Sequence, residues 1–227
     1  MKITLKVVLI VLVAAFYSCG KDEVSSASSS ITSAGVISGT ISNYGVSPVD
    51  SIHFNRTTAI VSTVGKFSST LAIPASSDLH KFEAATGMEI NDINALVCEP
   101  INIVAFHNGR GGVLLKTNAS ENMTSLDGTS FSVFVYCDRD VALKGSVNGG
   151  MDNVGGLDIS GMMTYDVKLK KGWNEMILTI EKLSMITGEA TIKLSSTIPS
   201  DLKWITITVD AAGTASKVRM FKSLLKK

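Results

Sequence analysis

The sequence predicts an all-β body, an antiparallel β-sandwich of about 10–12 short strands, and three observations predict it. Beyond Gly35, apolar and polar residues alternate with period two in run after run. Those runs are rich in Val, Ile, Thr and Phe and are separated mostly by Gly, Asn and Asp turns. The composition, 45% apolar and 18% charged with a net charge of +1 over 227 residues, belongs to a folding chain. That length buries a core without metal or disulfide staples.

The strands follow in order. Gly35–Ser42 sets Val36, Ser38 and Thr40 against Ile37, Gly39 and Ile41. Ser51–Asn55, Thr58–Thr63 and Lys66–Ile73 continue the pattern up to Pro74. In the first of these, His53 faces away from Ile52 and Phe54. Ser77–Leu96 is the exception, because Leu79, Phe82, Ala85 and Met88 fall at intervals of three. Gly87 and the Asn91–Asn94 cluster interrupt it, so at most one or two short helical turns are expected there.

The later strands are clearer: Ile101–His107, Gly112–Thr117, Thr129–Cys137, Val141–Val147, Met162–Lys170, Asn174–Glu181, Ala190–Ser195 and Leu202–Val209. Phe131, Val133, Val135 and Cys137 share one face, with Ser130, Ser132, Phe134 and Tyr136 on the other. Gly149–Ser160 (GGMDNVGGLDIS) is expected to be a glycine-rich connection. Asp152, Asn153 and Asp158 offer oxygens, but the spacing lacks the dense Asp/Asn alternation and closing Glu of a calcium loop. No metal is assigned.

The N-terminus is an address. Lys2 and Lys6 precede an unbroken apolar run of eleven residues, Val7–Tyr17. As a helix that run spans about 16 Å, against about 30 Å of membrane hydrocarbon. It fits the apolar region of an export signal. Ser18-Cys19 directly after it resembles the lipobox of bacterial lipoproteins, which implies cleavage after residue 18 and lipid on Cys19. Phe16 and Tyr17 depart from the usual aliphatic and small residues. Lys21-Asp22-Glu23 resembles the surface-export signal of Bacteroidota lipoproteins, which implies the outer leaflet of the outer membrane. The periplasmic face is the alternative.

The expected organisation is a signal peptide over 1–18 and a lipidated Cys with a Ser-rich tether over 19–34. A body over 35–210, with a candidate division near 75–100, and a basic tail over 211–227 follow. The body carries 13 basic and 18 acidic residues, and the tail five basic and no acidic ones. Neither balance points to nucleic acid. Phe221, Leu224 and Leu225 lie opposite lysines at helical spacing, yet a solvated tail is the simpler expectation.

Gly39-Thr40-Ile41, Pro48-Val49 with Ile52 and Phe54, and Gly65-Lys66-Phe67 together resemble carboxypeptidase-regulatory-like, transthyretin-type β modules over residues 35–75. That resemblance implies a fold and no activity. Val133–Gly145 with Tyr165–Asn174 is similar to β-sandwich lipoproteins of uncharacterised function in Bacteroidota. Asp50-Ser51-Ile52 resembles the O-glycosylation site of that group, which makes Ser51 a candidate acceptor.

With Cys19 taken by lipid, Cys98 and Cys137 form an even pair, and an exported chain permits a disulfide between them. Cys137 also alternates with core residues, where a free thiol packs well. His53, His80 and His107 have no partner at ligand spacing. Asp138 and Asp140 flank Arg139 at a strand end, as an ion-paired turn does. Trp173 and Trp204, with Tyr44, Tyr136 and Tyr165, suit either a sugar-stacking platform or a core, and the core is favoured. No nucleophile, phosphate-loop or metal motif is present.

The expectation is therefore a lipid-anchored envelope protein that binds a glycan or protein, without catalytic residues or cofactor. A glycan-processing enzyme with an unrecognised carboxylate pair and a fimbria-like assembly subunit are the rivals.

Overall fold

The structure, a computed structural model, describes residues 31–32, 35–83, 85–98, 100–119, 125–154, 157–184 and 186–208, excluding the side chains of 150–159. The signal over 1–18, Cys19, Lys21, Asp22, Glu23, most of the tether and the tail over 211–227 lie outside the described residues.

The described chain is nearly all β, sandwich-like and mostly antiparallel. Its strands are β1 (Val36–Thr40), β2 (Ser51–Phe54), β3 (Thr57–Ile60), β4 (Lys66–Thr70) and β5 (Leu79–Lys81). β6 (Met88–Ile90), β7 (Leu96–Cys98), β8 (Ile103–His107), β9 (Arg110–Thr117) and β10 (Thr129–Cys137) follow. The last are β11 (Val141–Val154), β12 (Leu157–Leu169), β13 (Gly172–Leu183), β14 (Glu189–Ser195) and β15 (Lys203–Thr208). Every run expected to be extended contains a strand among its described residues.

Ser77–Leu96 stays within the one or two short turns expected of it: among its described residues the helical feature is a single 3-10 turn at Ser76–Asp78, and the stretch also holds three short strands. Of the residues at intervals of three, Phe82, Ala85 and Met88 share the inward side of a strap described below, whereas Leu79 packs under the N-terminal strands. One expectation needs correction: the glycine-rich stretch over 149–160, expected as a connection, is largely strand. β11 and β12 stay in register through Gly149↔Gly161 and Met151↔Ile159, because backbone pairing needs no side chain.

β1 and β4 form a two-stranded ribbon, and all other strands belong to one branched ladder. The ladder runs β3-β2-β8-β9-β10-β13-β14-β12-β11-β6, with β15 added to β9, β7 to β10 and β5 to β7. The parallel pair is β12 with β14, which lies between β12 and β13.

The central strands separate two cores. On β10, Phe131, Val133, Val135 and Cys137 enter one core, while Phe134 enters the other with Tyr136 packed against it. Likewise Leu115 and Ile207 face the first core, and Leu114 and Trp204 the second. Period-two geometry imposes the division.

The second core lies under the N-terminal strands. There Trp204 stacks on Phe134 (5.7 Å, 7°) and meets Phe67 edge-on at 5.2 Å. The ribbon reaches the main ladder through Gly39, where a Cβ would stand 2.4 Å from the Trp204 indole. A bare backbone is required there.

The first core is enclosed because the ladder from β10 to β6 curls. Val133 and Val135 of β10 share that core with Leu143 of β11 and Val167 of β12, although β10 and β11 stand four places apart in the ladder. One corner crosses between these layers at Asp138–Asp140. Asp140 fixes it to the neighbouring corner by accepting hydrogen bonds from Lys170 Nζ (2.8 Å) and the Lys171 N–H (2.9 Å).

Candidate functional site

The curled ladder is joined on one side by β14 and crossed on the other by the segment from Leu79 to Ile90. β5, where this segment begins, pairs with β7 beside β10. β6, where it ends, pairs with β11 through Leu143↔Ile90 and Gly145↔Met88. The segment therefore spans the gap between the two layers as a strap. Phe82, Ala85 and Met88 line its inner side, while Lys81, Glu83 and Thr86 are exposed.

A close backbone approach anchors the strap. A Cβ on Gly145 would stand 2.1 Å from the Gly87 carbonyl oxygen, and one on Gly87 would stand 2.3 Å from that of Ser146. Both glycines also have positive φ, +125° and +92°.

Beneath the strap lies a cavity of about 280 Å³. Its deep walls are apolar, with Val133, Val135, Leu143, Val167, Leu178 and Ile192 among them. Met88, Met163 and Met176 add unbranched, polarizable side chains. The Tyr165 hydroxyl donates to Met163 Sδ at 2.9 Å, and burial pushes its pKa up. Lys81 and Glu83, the charged residues lining the cavity, sit on the strap. Cavities of about 150 Å³ with such walls stay dry and accept benzene, so this one has room for a larger apolar guest.

The residues singled out in the sequence are scattered. Cys98 and Cys137 are free and buried. Val97, not Cys98, stands opposite Cys137, so the two thiols lie on opposite faces of the ladder and enter different cores. The candidate disulfide is not formed. The Cys98 sulfur instead accepts the Tyr136 N–H at 3.0 Å.

Ser51 is half-buried in β2, between β3 and β8. His53 is exposed on the same strand. His107 and Asn108 both contact Asp50, with His107 Nδ1 at 3.1 Å from Oδ1 and the Asn108 N–H donating to Oδ2 at 2.7 Å. His80 lines the cavity near its mouth. Trp173 and Trp204 are both core residues, so neither belongs to an exposed stacking platform. Asp138 and Asp140 are ion-paired at their corners, Asp138 with Arg139 (2.9 Å). Among the described residues no group of three or more His, Cys, Asp or Glu is placed to hold a metal.

Two features went unseen in the sequence. One is the cavity. The other is a buried ion pair on β9 and β13, Lys116 Nζ to Glu175 Oε1 at 2.8 Å, with the Ser132 hydroxyl donating to the same oxygen. Glu175 Oε2 has no hydrogen-bond partner among the described residues.

Fold and site together define a class: an all-β body with an apolar interior cavity under a strap. Comparison with known proteins returned no matching family model, no matching curated protein and no matching solved structure.

Proposed function

We propose that this chain is a lipid-anchored protein of the outer membrane, exposed at the cell surface, whose β-body binds a ligand and performs no catalysis. The apolar cavity carries the binding half of this reading. A reaction centre needs polar groups converging on one point, whereas the deep walls here are hydrocarbon and thioether. With both tryptophans in the cores, an apolar ligand is favoured over a stacked sugar.

The address at the N-terminus supports the anchoring half. Each buried methylene of an attached chain contributes about 0.8 kcal/mol, and two or more chains make membrane retention persistent. Ile31 packs against the second core, so the Ser-rich stretch that would serve as a tether is about 11 residues, and as a flexible chain it would reach roughly 17–20 Å from the anchor.

Palmitate labelling, membrane fractionation and surface proteolysis of whole cells test the anchor. Wild type is expected to be labelled, membrane-bound and protease-accessible, and Cys19→Ala to lose label and retention. Equal labelling of the two would overturn the anchoring reading, and protection from protease would move the body to the periplasmic face.

A further inference from the structure

We infer that the cavity takes one hydrocarbon chain of a single-chain amphiphile, with the polar end of that molecule at the strap. This inference rests on the binding reading above and names the ligand class for the same site.

Shape is the first argument. The wall residues contributed by β12 run from Gly161 to Leu169, about 26 Å at roughly 3.3 Å per residue. A volume of about 280 Å³ spread along such a wall makes a slot, which suits an extended chain better than a fused ring.

Chemistry is the second. The Tyr165 hydroxyl is already engaged by Met163 Sδ, so it makes no demand on a guest. A polar group pushed deep among Val133, Val167 and Leu178 would lose its water without gaining a partner. A methylene chain loses nothing there.

The third argument is the contrast between floor and strap. Lys81 and Glu83 are exposed where the strap crosses the mouth, beside half-buried His80. Phe82 and Met88 turn inward from the same segment. An amphiphile matches that gradient from charged rim to apolar floor. The thioethers of Met88, Met163 and Met176 adapt to chains of different length.

The test is photo-crosslinking to the full-length chain in native membranes, using a fatty acid with a mid-chain diazirine and a lysophospholipid carrying the same chain. Adducts are expected on peptides containing 163–169 and 176–178, competed by unlabelled palmitate. Labelling by either probe supports the inference, and their relative yield tells a free acid from a lysolipid. Ala190→Phe, which enlarges a buried wall residue, is expected to lower labelling at least tenfold. Circular dichroism checks its fold, and if that variant fails to fold, the wild-type adduct map decides.

Adducts confined to exposed residues, or insensitive to palmitate, overturn the inference. A compact benzophenone probe without a chain separates the two levels. If it labels the cavity walls and the chain probes do not, the binding reading stands and the single-chain ligand falls. If no probe labels the walls, both fall.

Discussion

The ammonium of Lys116 and the carboxylate of Glu175 meet at 2.8 Å, with only 2% and 3% of their side chains exposed. Removing one member of such a pair leaves the other buried and uncompensated, at a cost of about 3–5 kcal/mol. Replacing both with apolar residues of similar volume is often neutral or stabilising. Lys116→Met alone is therefore expected to lower unfolding free energy by about that amount. Lys116→Met with Glu175→Leu should recover most of it. Urea unfolding of the variants checks this, and a double variant as unstable as the two losses combined would show that the pair is not coupled.

The contact between Gly39 and Trp204 gives a second test. A valine there would put its Cβ 2.4 Å from the indole, and nearby Phe67 leaves that ring little room to retreat. Overpacking of a core typically costs about 1–3 kcal/mol. Gly39→Val is expected to destabilise by at least that range and to weaken the near-ultraviolet circular dichroism of Trp204. A Gly39→Val protein with unchanged spectrum and urea midpoint would contradict the docking of β1 through this contact.

Much of the strand pattern was legible because alternation is local: β10 is readable from Phe131, Val133, Val135 and Cys137 alone. The two cores were not, since Phe134 and Tyr136 on the opposite face show only that this face is also apolar. What covers that face depends on strands far away in sequence. Lys116 reads as a solvent-facing residue of a strand because its partner lies 59 positions on. The strap was half legible. The spacing of Phe82, Ala85 and Met88 marked a one-sided segment, but one-sidedness at intervals of three also describes a helix. The cavity had no local signal, because its walls are ordinary core residues and only the curl of the ladder separates them.

Acid should weaken the body through three carboxylates, Asp50 and Asp140 exposed and Asp138 half-buried. The Asn108 N–H, aided by His107, holds the Asp50 pKa below its ordinary 3.8. The Arg139 guanidinium does the same for Asp138, and the Lys170 ammonium with the Lys171 N–H for Asp140. With folded values depressed, the unfolded chain binds more protons in this range, so stability rises with pH. The contribution is complete above the ordinary value and is lost as pH falls through the lowered ones. Urea midpoints are expected to be flat near neutrality and to drop below about pH 4. Asp140→Asn should flatten part of the drop, and salt should shrink its contribution because the pair is exposed. An unaltered profile in Asp50→Asn, Asp138→Asn and Asp140→Asn alike would remove these carboxylates from the account.

The two body cysteines should behave as core residues. Burial pushes the Cys137 thiol up, which disfavours the reactive thiolate. Alkylation without reductant is expected to add nothing to Cys98 or Cys137 in the folded chain and two groups in denaturant. Mass spectrometry of the peptides reads this directly. Two groups appearing only after reduction would mean that the thiols pair after all, which their places on opposite faces of the ladder argue against.

The strap offers the sharpest link between backbone and binding. Its attachment to β11 requires Gly87 and Gly145, whose chains approach so closely that a Cβ on either would overlap a backbone oxygen. Gly145→Val is therefore expected to free β6 from β11 while leaving the β10–β13 ladder, which shares no residue with that contact, intact. Hydrogen exchange should rise at least tenfold over residues 86–90 and stay unchanged over 131–135 and 174–178. The same variant should release a bound chain faster, since Phe82 and Met88 no longer cover the slot. Equal exchange in variant and wild type would show that the strap is held by something other than this glycine contact. Faster exchange with unchanged ligand release would show that the strap does not cover the path by which the ligand leaves.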